Sequence, residues 1–375
     1  MRLTVERSNL IRSLGRMTRV VERRNTIPIL SNVLLRADAD GLHMKATDLD
    51  LEVSERTPAD ADVEGATTVP AHLLHDIVRK LPDGAEVMLR TSEDGNGVTV
   101  AAGRSNFRLQ TLPEADFPDL TTGDFTHAFA MPAVQLATLI ERTAFAISTE
   151  ETRYYLNGIY CHVTEGVLRA VATDGHRLAR AEVEAPDGTE GMPGIIIPRK
   201  TVGEVQKLLS GAQAGEDGEQ ATVRVELSDA KIRFSLGGTV LTSKLIDGTF
   251  PDYQRVIPAK NEKALTLDRQ TFAGAVDRVA TVSSERGRAV KLAIKDGQLV
   301  LTVNNPDSGS AEEELAVGYE DDPMEIGFNA KYLLDIAGQI TGEEAVFMLN
   351  DAGSPTLIRD KGDESALYVL MPMRV

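Results

Sequence analysis

Tryptophan is absent from the 375 residues, and cysteine occurs once, as Cys161. One thiol excludes an intramolecular disulfide framework. Aromatic residues make up 5% of the chain, too few for the stacking surfaces on which proteins hold single-stranded nucleic acid. No apolar run approaches the ~18 residues that a membrane helix needs, and no signal-peptide core is present. Phosphate loops of the GxxxxGKS or GxxxxGKT type and nucleophile elbows are missing as well. A soluble, cytoplasmic protein with no membrane partner and no nucleotide chemistry of its own is expected.

What the chain does have is repetition. RLTVERSNLIRSLGRMTRVV begins at Arg2, HAFAMPAVQLATLIERTAFAIS at His127 and KALTLDRQTFAGAVDRVATVSS at Lys263. Each reads as a strand running into an amphipathic helix. A second helix follows in every copy, in VPAHLLHDIVRKL from Val69, IPRKTVGEVQKLL from Ile197 and GFNAKYLLDIAGQI from Gly327. Between the two helices lie alternating stretches, with Asp40-Gly41, Glu165-Gly166 and Asp296-Gly297 as equivalent hairpin turns. Phe117-Pro118-Asp119 and Phe250-Pro251-Asp252 recur as linkers. The expectation is an α+β protein of three like domains, residues 1–121, 127–253 and 254–375, each with two helices and antiparallel sheets.

The net charge of −17 argues against a nucleic-acid partner until its distribution is considered. Residues 1–24 carry seven arginines against two glutamates, whereas residues 36–66 carry nine acids against three bases. In the first helix Leu10, Leu14, Met17 and Val21 fall on one face and Arg12, Arg16, Arg19 and Arg23 on the other. Most charged helix faces are merely solvated. Like units arranged about an axis would instead gather their basic helices inward, a lumen suited to a threaded polyanion.

The segments RRNTIPILSNVLL, STEETRYYLNGIY, VATDGHRLA, FPDYQRVIP, EIGFNAKYLLD and YVLMPMRV resemble the bacterial DNA polymerase III beta subunits, the β sliding clamps, from end to end. The resemblance implies a homodimer of two crescents closed head to tail into a six-domain ring around double-stranded DNA, bound without sequence preference. It implies a nucleoid-associated processivity factor rather than an enzyme. Implied DNA contacts are Arg24, Arg153, Tyr154, Tyr155, Arg199 and Lys200. Glu150 stands where a neutral polar residue is more familiar.

The resemblance also implies a groove for linear peptides of the Gln-Leu-x-Leu-Phe kind, carried by the replicative polymerase alpha subunit, the clamp loader, other polymerases and repair factors. Its walls would be Leu156, Thr173, Gly175, His176, Arg177, Leu178, Pro251, Arg255, Val256, Asn329, Tyr332, Val369, Leu370, Met371, Pro372, Met373 and Arg374. Gly287 and Gly353 replace larger residues near its rim. The dimer interface would set Phe107 and Leu109 against Thr281 and Val282, with Arg104 and Arg108 facing Glu312–Glu314.

Catalytic signals are weak. Thr173-Asp174 matches Thr47-Asp48 of the first copy, which points to turn chemistry. A hydrolase centred on Asp174 and His176 is the competing reading, and an acidic scaffold protein is a third. His72, His75 and Asp76 sketch a metal site, but a helix surface after Pro70 accounts for them better. No metal and no cofactor are expected.

Overall fold

The computed structural model describes residues 1–120, 123–211, 220–283 and 289–375; Gly287 lies outside the described residues. Six helices occur among the described residues: α1 (Arg7–Val20), α2 (Ala71–Lys80), α3 (Ala133–Ala144), α4 (Arg199–Ser210), α5 (Arg269–Ala280) and α6 (Ala330–Ala337). Each follows directly on a strand, as the repeated pattern predicts. Side-chain caps start two of them: Asp268 accepts from the Thr271 amide at 2.7 Å and Asn329 from the Lys331 amide at 2.9 Å.

In α1 the apolar stripe is buried through Leu10, Leu14, Met17 and Val20. The helix is shorter than its pattern predicts. Val21 turns extended, so Arg23 lies beyond the helix and not on its basic face. The positive stripe is also partly neutralised, with Arg16 on Glu55 at 2.5 Å and Arg19 on Glu204 at 3.1 Å. Arg12 is exposed.

The chain forms two compact units, Met1–Val134 with Asp187–Thr189 and Gly203–Leu245, and Gln135–Pro186 with Glu190–Val202 and Ile246–Val375. The middle repeat is therefore divided between them. The reason is strand pairing. In the first unit Leu51–Thr57 of repeat one pairs antiparallel with Thr239–Lys244 of repeat two, making one sheet of eight strands. In the second unit Arg177–Glu184 of repeat two pairs with Ala366–Leu370 of repeat three in the same way. A five-stranded sheet completes the first unit and ends at Ser105–Gln110; a four-stranded sheet completes the second and ends at Gly309–Ala316.

Alternation sets which face is core. Val290, Leu292 and Ile294 are buried in strand Ala289–Lys295, as are Leu299, Leu301 and Val303 in its neighbour Gln298–Asn305. Each such side chain contributes about 1.5–3 kcal/mol on burial. The hairpin expectation is met at Glu165-Gly166, both at positive φ, and at Asp296-Gly297. It is off by one residue in repeat one. There Asp38 pairs with Gly41, the loop is Ala39-Asp40, and Asp38 accepts from the Asp40 amide at 2.9 Å. Phe250 is no loose linker residue, since it is buried and stacks on Tyr160 with centroids 4.9 Å apart.

Candidate functional site

The turn between strands Val167–Thr173 and Arg177–Glu184 is built by Asp174. Its Oδ1 accepts from the amides of His176 and Arg177 at 2.9 and 3.0 Å. Asp48 in repeat one does the same for Asp50 and Leu51, so the shared Thr-Asp is turn chemistry as expected. Gly175 holds φ +87°, a conformation that costs an L side chain about 1–2 kcal/mol.

Arg177 is buried, and every nitrogen of its guanidinium is used. Nε donates to Asp174 Oδ2 at 3.1 Å, Nη1 to Asp335 Oδ2 at 2.5 Å and Nη2 to the Phe145 carbonyl at 2.6 Å. Its plane lies over the Tyr332 ring, 4.2 Å from the centroid, and over Phe145 at 5.0 Å. Burial with Asp174 and Asp335 nearby raises the Tyr332 hydroxyl pKa.

Above this lock opens a cavity of about 290 Å³. Leu156, Leu178 and Val369 form its floor and belong to an apolar cluster with Val171, Ile196, Phe250 and Leu367. Thr173, Gly175 and Arg177 edge it on one side, Pro251, Val256 and Met371 on others. The volume sits at the small end of ligand pockets, enough for one or two apolar side chains. Met371 is placed there by its backbone, whose amide donates to the His176 carbonyl at 2.9 Å, while its side chain stays exposed.

Models of the DNA polymerase III beta subunit match the chain three times in succession: the N-terminal domain over residues 1–121, the central domain over 130–252 and the C-terminal domain over 254–374. A beta sliding clamp of Caulobacter vibrioides is 54% identical over 379 residues, with both chains fully covered. That of Escherichia coli K12 is 40% identical over 378 residues, again with full coverage of both. Among solved structures, the Bartonella birtlesii sliding clamp bound to griselimycin superposes with a TM-score of 0.95 at 58% identity over the whole of both chains. The Caulobacter crescentus clamp with bound polyethylene glycol gives 0.96 at 54%, covering 100% of this chain and 99% of that one.

The chain belongs to the DNA polymerase III beta subunit family.

It is a DNA sliding clamp with three clamp domains of α+β architecture. Of the expected groove residues in this clamp, several stand apart from the cavity. His176 is exposed and stacks on Tyr332, centroids 6.4 Å apart. Asn329 is the cap of α6, Leu370 is fully buried, and Arg255 is exposed and paired with Asp252 at 2.8 Å. Pro372, Met373 and Arg374 follow Met371 along the surface, anchored where the Met373 amide meets the Gly327 carbonyl at 2.8 Å. Gly353 lies in an exposed turn, its amide donating to Asp351 at 2.8 Å.

Two residues expected at DNA also line the cavity. Arg153 and Tyr155 are part of its wall. Arg153 is also ion-paired, Nη2 to Glu150 Oε1 at 2.6 Å. The other DNA candidates are at the surface: Tyr154 is exposed, Arg24 lies just past α1, and Arg199 and Lys200 open α4. Two cations at a helix N-terminus add to its own positive potential.

The expected interface residues divide likewise. Phe107 is 37% exposed, whereas Leu109, two residues on and on the same face of the strand, is 5% exposed and packs into its own sheet. Thr281 is exposed and Val282 half-buried after α5. A hydrolytic centre at Asp174 and His176 finds no support in the family match or the geometry. Both carboxylate oxygens of Asp174 are committed to the turn and to Arg177, and the His176 ring faces Tyr332. His72 Nε2 lies 2.9 Å from the Val21 carbonyl, and no group of three metal-ligating side chains occurs among the described residues. No described helix is long and apolar enough to cross a membrane.

Proposed function

We propose that this clamp closes as a head-to-tail homodimer around double-stranded DNA in the cytoplasm, without catalysis of its own. It holds partner proteins by apolar peptide anchors in the cavity above Arg177. Three domains at residues 1–121, 127–253 and 254–375 would be the repeating units of the ring.

The observation that carries the ring is a repeated joint with one occurrence missing. Thr239–Lys244 pairs with Leu51–Thr57, so that Leu241 stands opposite Val53. Ala366–Leu370 pairs with Arg177–Glu184, so that Tyr368 stands opposite Ala179. The hairpin registers make Phe107 the counterpart of Leu241 and Ala311 the counterpart of Val53. A second copy would thus pair Ser105–Gln110 with Gly309–Ala316, setting Phe107 opposite Ala311 and Arg104 near Glu314. Leu241 and Tyr368 are 3% and 1% exposed, whereas Phe107 is 37% exposed. Pairing would cover that ring and both free edges, and a rotation that closes limits growth to a dimer.

Arg24, Tyr154, Arg199 and Lys200 are the candidate DNA contacts, with Arg153 and Tyr155 shared with the groove. Phosphate contacts of this kind are weak at physiological salt; a closed ring holds the duplex by topology. The test is retention on nicked circular DNA after loading with a bacterial clamp loader and ATP. Loss of the clamp on linearising the circle is expected, and equal retention on both forms would refute encirclement.

A further inference from the structure

We propose that Glu150 is a specificity-determining residue of the peptide groove, acting through Arg153. The proposal rests on the groove reading above. Arg153 sits in the cavity wall, and its Nη1 lies 2.6 Å from where a Cβ on residue 175 would be. Glycine at 175 thus makes room for the guanidinium as well as tolerating φ +87°. Glu150 holds that guanidinium by two contacts, Oε2 accepting from Nε at 2.8 Å and Oε1 lying 2.6 Å from Nη2. The tie is local. Arg153 has φ −110° and ψ 52°, a kink within the short helix Glu151–Leu156, and its amide donates to the Glu150 carbonyl at 3.3 Å.

A lone arginine in the wall of a small apolar cavity would attract peptides that carry a carboxylate beside their apolar anchors. With Glu150 bound to it the wall is close to neutral, and that attraction is cancelled. Screened by solvent, a unit charge pair at such a wall is expected to change affinity roughly two- to fivefold. The groove of this chain therefore takes apolar-anchored peptides with little regard to an adjacent acid.

The experiment measures calorimetrically the binding of two pentapeptides, Gln-Leu-Asp-Leu-Phe and Gln-Leu-Asn-Leu-Phe, which differ by one charge at constant shape. The proteins are the full-length chain, Glu150→Gln, Arg153→Gln and the double variant. The Asp-to-Asn affinity ratio is expected to rise two- to fivefold in Glu150→Gln. That rise should disappear when Arg153→Gln is added and shrink with added salt. An unchanged ratio overturns the proposal. So does a rise of equal size in the Arg153→Gln background, because Glu150 would then repel the peptide directly. If neither peptide binds the unaltered chain, the groove reading fails first and takes this proposal with it.

Discussion

Nη1 of Arg177, in the second repeat, lies 2.5 Å from Oδ2 of Asp335, in the third. The same guanidinium fixes the Asp174 turn and the Phe145 carbonyl, so one buried cation ties the floor of the cavity to α6. Removing one partner of such a network leaves others buried and unsatisfied, at a cost of about 3–5 kcal/mol. Arg177→Ala is expected to lower the melting temperature and to weaken peptide binding more than tenfold. Asp335→Asn, which keeps an acceptor, should cost less on both measures. Calorimetry and peptide titration of the two variants check this.

The missing joint predicts the effect of charge at the free edge. Phe107→Glu should weaken self-association at least tenfold, because a carboxylate would be buried among Glu312–Glu314 of the second copy. Sedimentation over a range of concentrations would detect the shift toward monomer. The melting profile of the monomer should change little, since Phe107 is exposed in the isolated chain.

Glu52 is nearly fully buried, with Oε2 accepting from the Leu120 amide at 3.1 Å and Lys45 at 3.3 Å from Oε1. Burial dominates, and the carboxyl pKa is raised. A raised folded pKa means that the protonated form favours the fold. Its stabilisation is fully present below the unfolded value and is lost as pH rises through the folded one. The stability of the unaltered chain minus that of Glu52→Gln is therefore expected to grow as pH falls through that window. Denaturant titrations between about pH 4 and 7 measure it.

Gly327 is required by a close approach. A Cβ there would lie 2.7 Å from the Met373 carbonyl oxygen and 2.2 Å from Val375 Cγ1. Gly327→Ala is expected to detach residues 371–375 from the surface and to free the Met371 wall. Peptide affinity should fall about tenfold, a loss of ~1.4 kcal/mol, with less effect on the melting temperature. Hydrogen exchange at the Met373 amide would report the detachment.

Burial pushes the Cys161 thiol up to about 12. Since the thiolate is the reactive form, the folded protein at pH 8 should react with a disulfide reagent roughly a thousandfold more slowly than the unfolded chain. Cys161 is half-buried by surface area, so rapid labelling in native buffer would show that its thiol is less desolvated than the raised pKa implies.

Sequence alone determined the elements that depend on local periodicity. The strand-then-helix order of all six helices, the Asx turns at Asp48 and Asp174, and the threefold repeat were legible because a 3.6-residue or two-residue spacing and a turn residue act within a few positions. The end-to-end resemblance also named most of the cavity wall. Tertiary structure alone decided the partners of long side chains. Nothing near Arg153 in the sequence shows that it lines the cavity, because that rests on where the distant Gly175 meets it. Arg16 and Arg19 belong to a periodic basic stripe, yet Glu55 and Glu204 come from distant segments to neutralise them. The division of repeat two between two units, and the edges at Ser105–Gln110 and Gly309–Ala316 that lack the joint made elsewhere, follow from strand pairing between repeats. Backbone hydrogen bonds carry no residue signature, so that pairing is set only when the chain is folded.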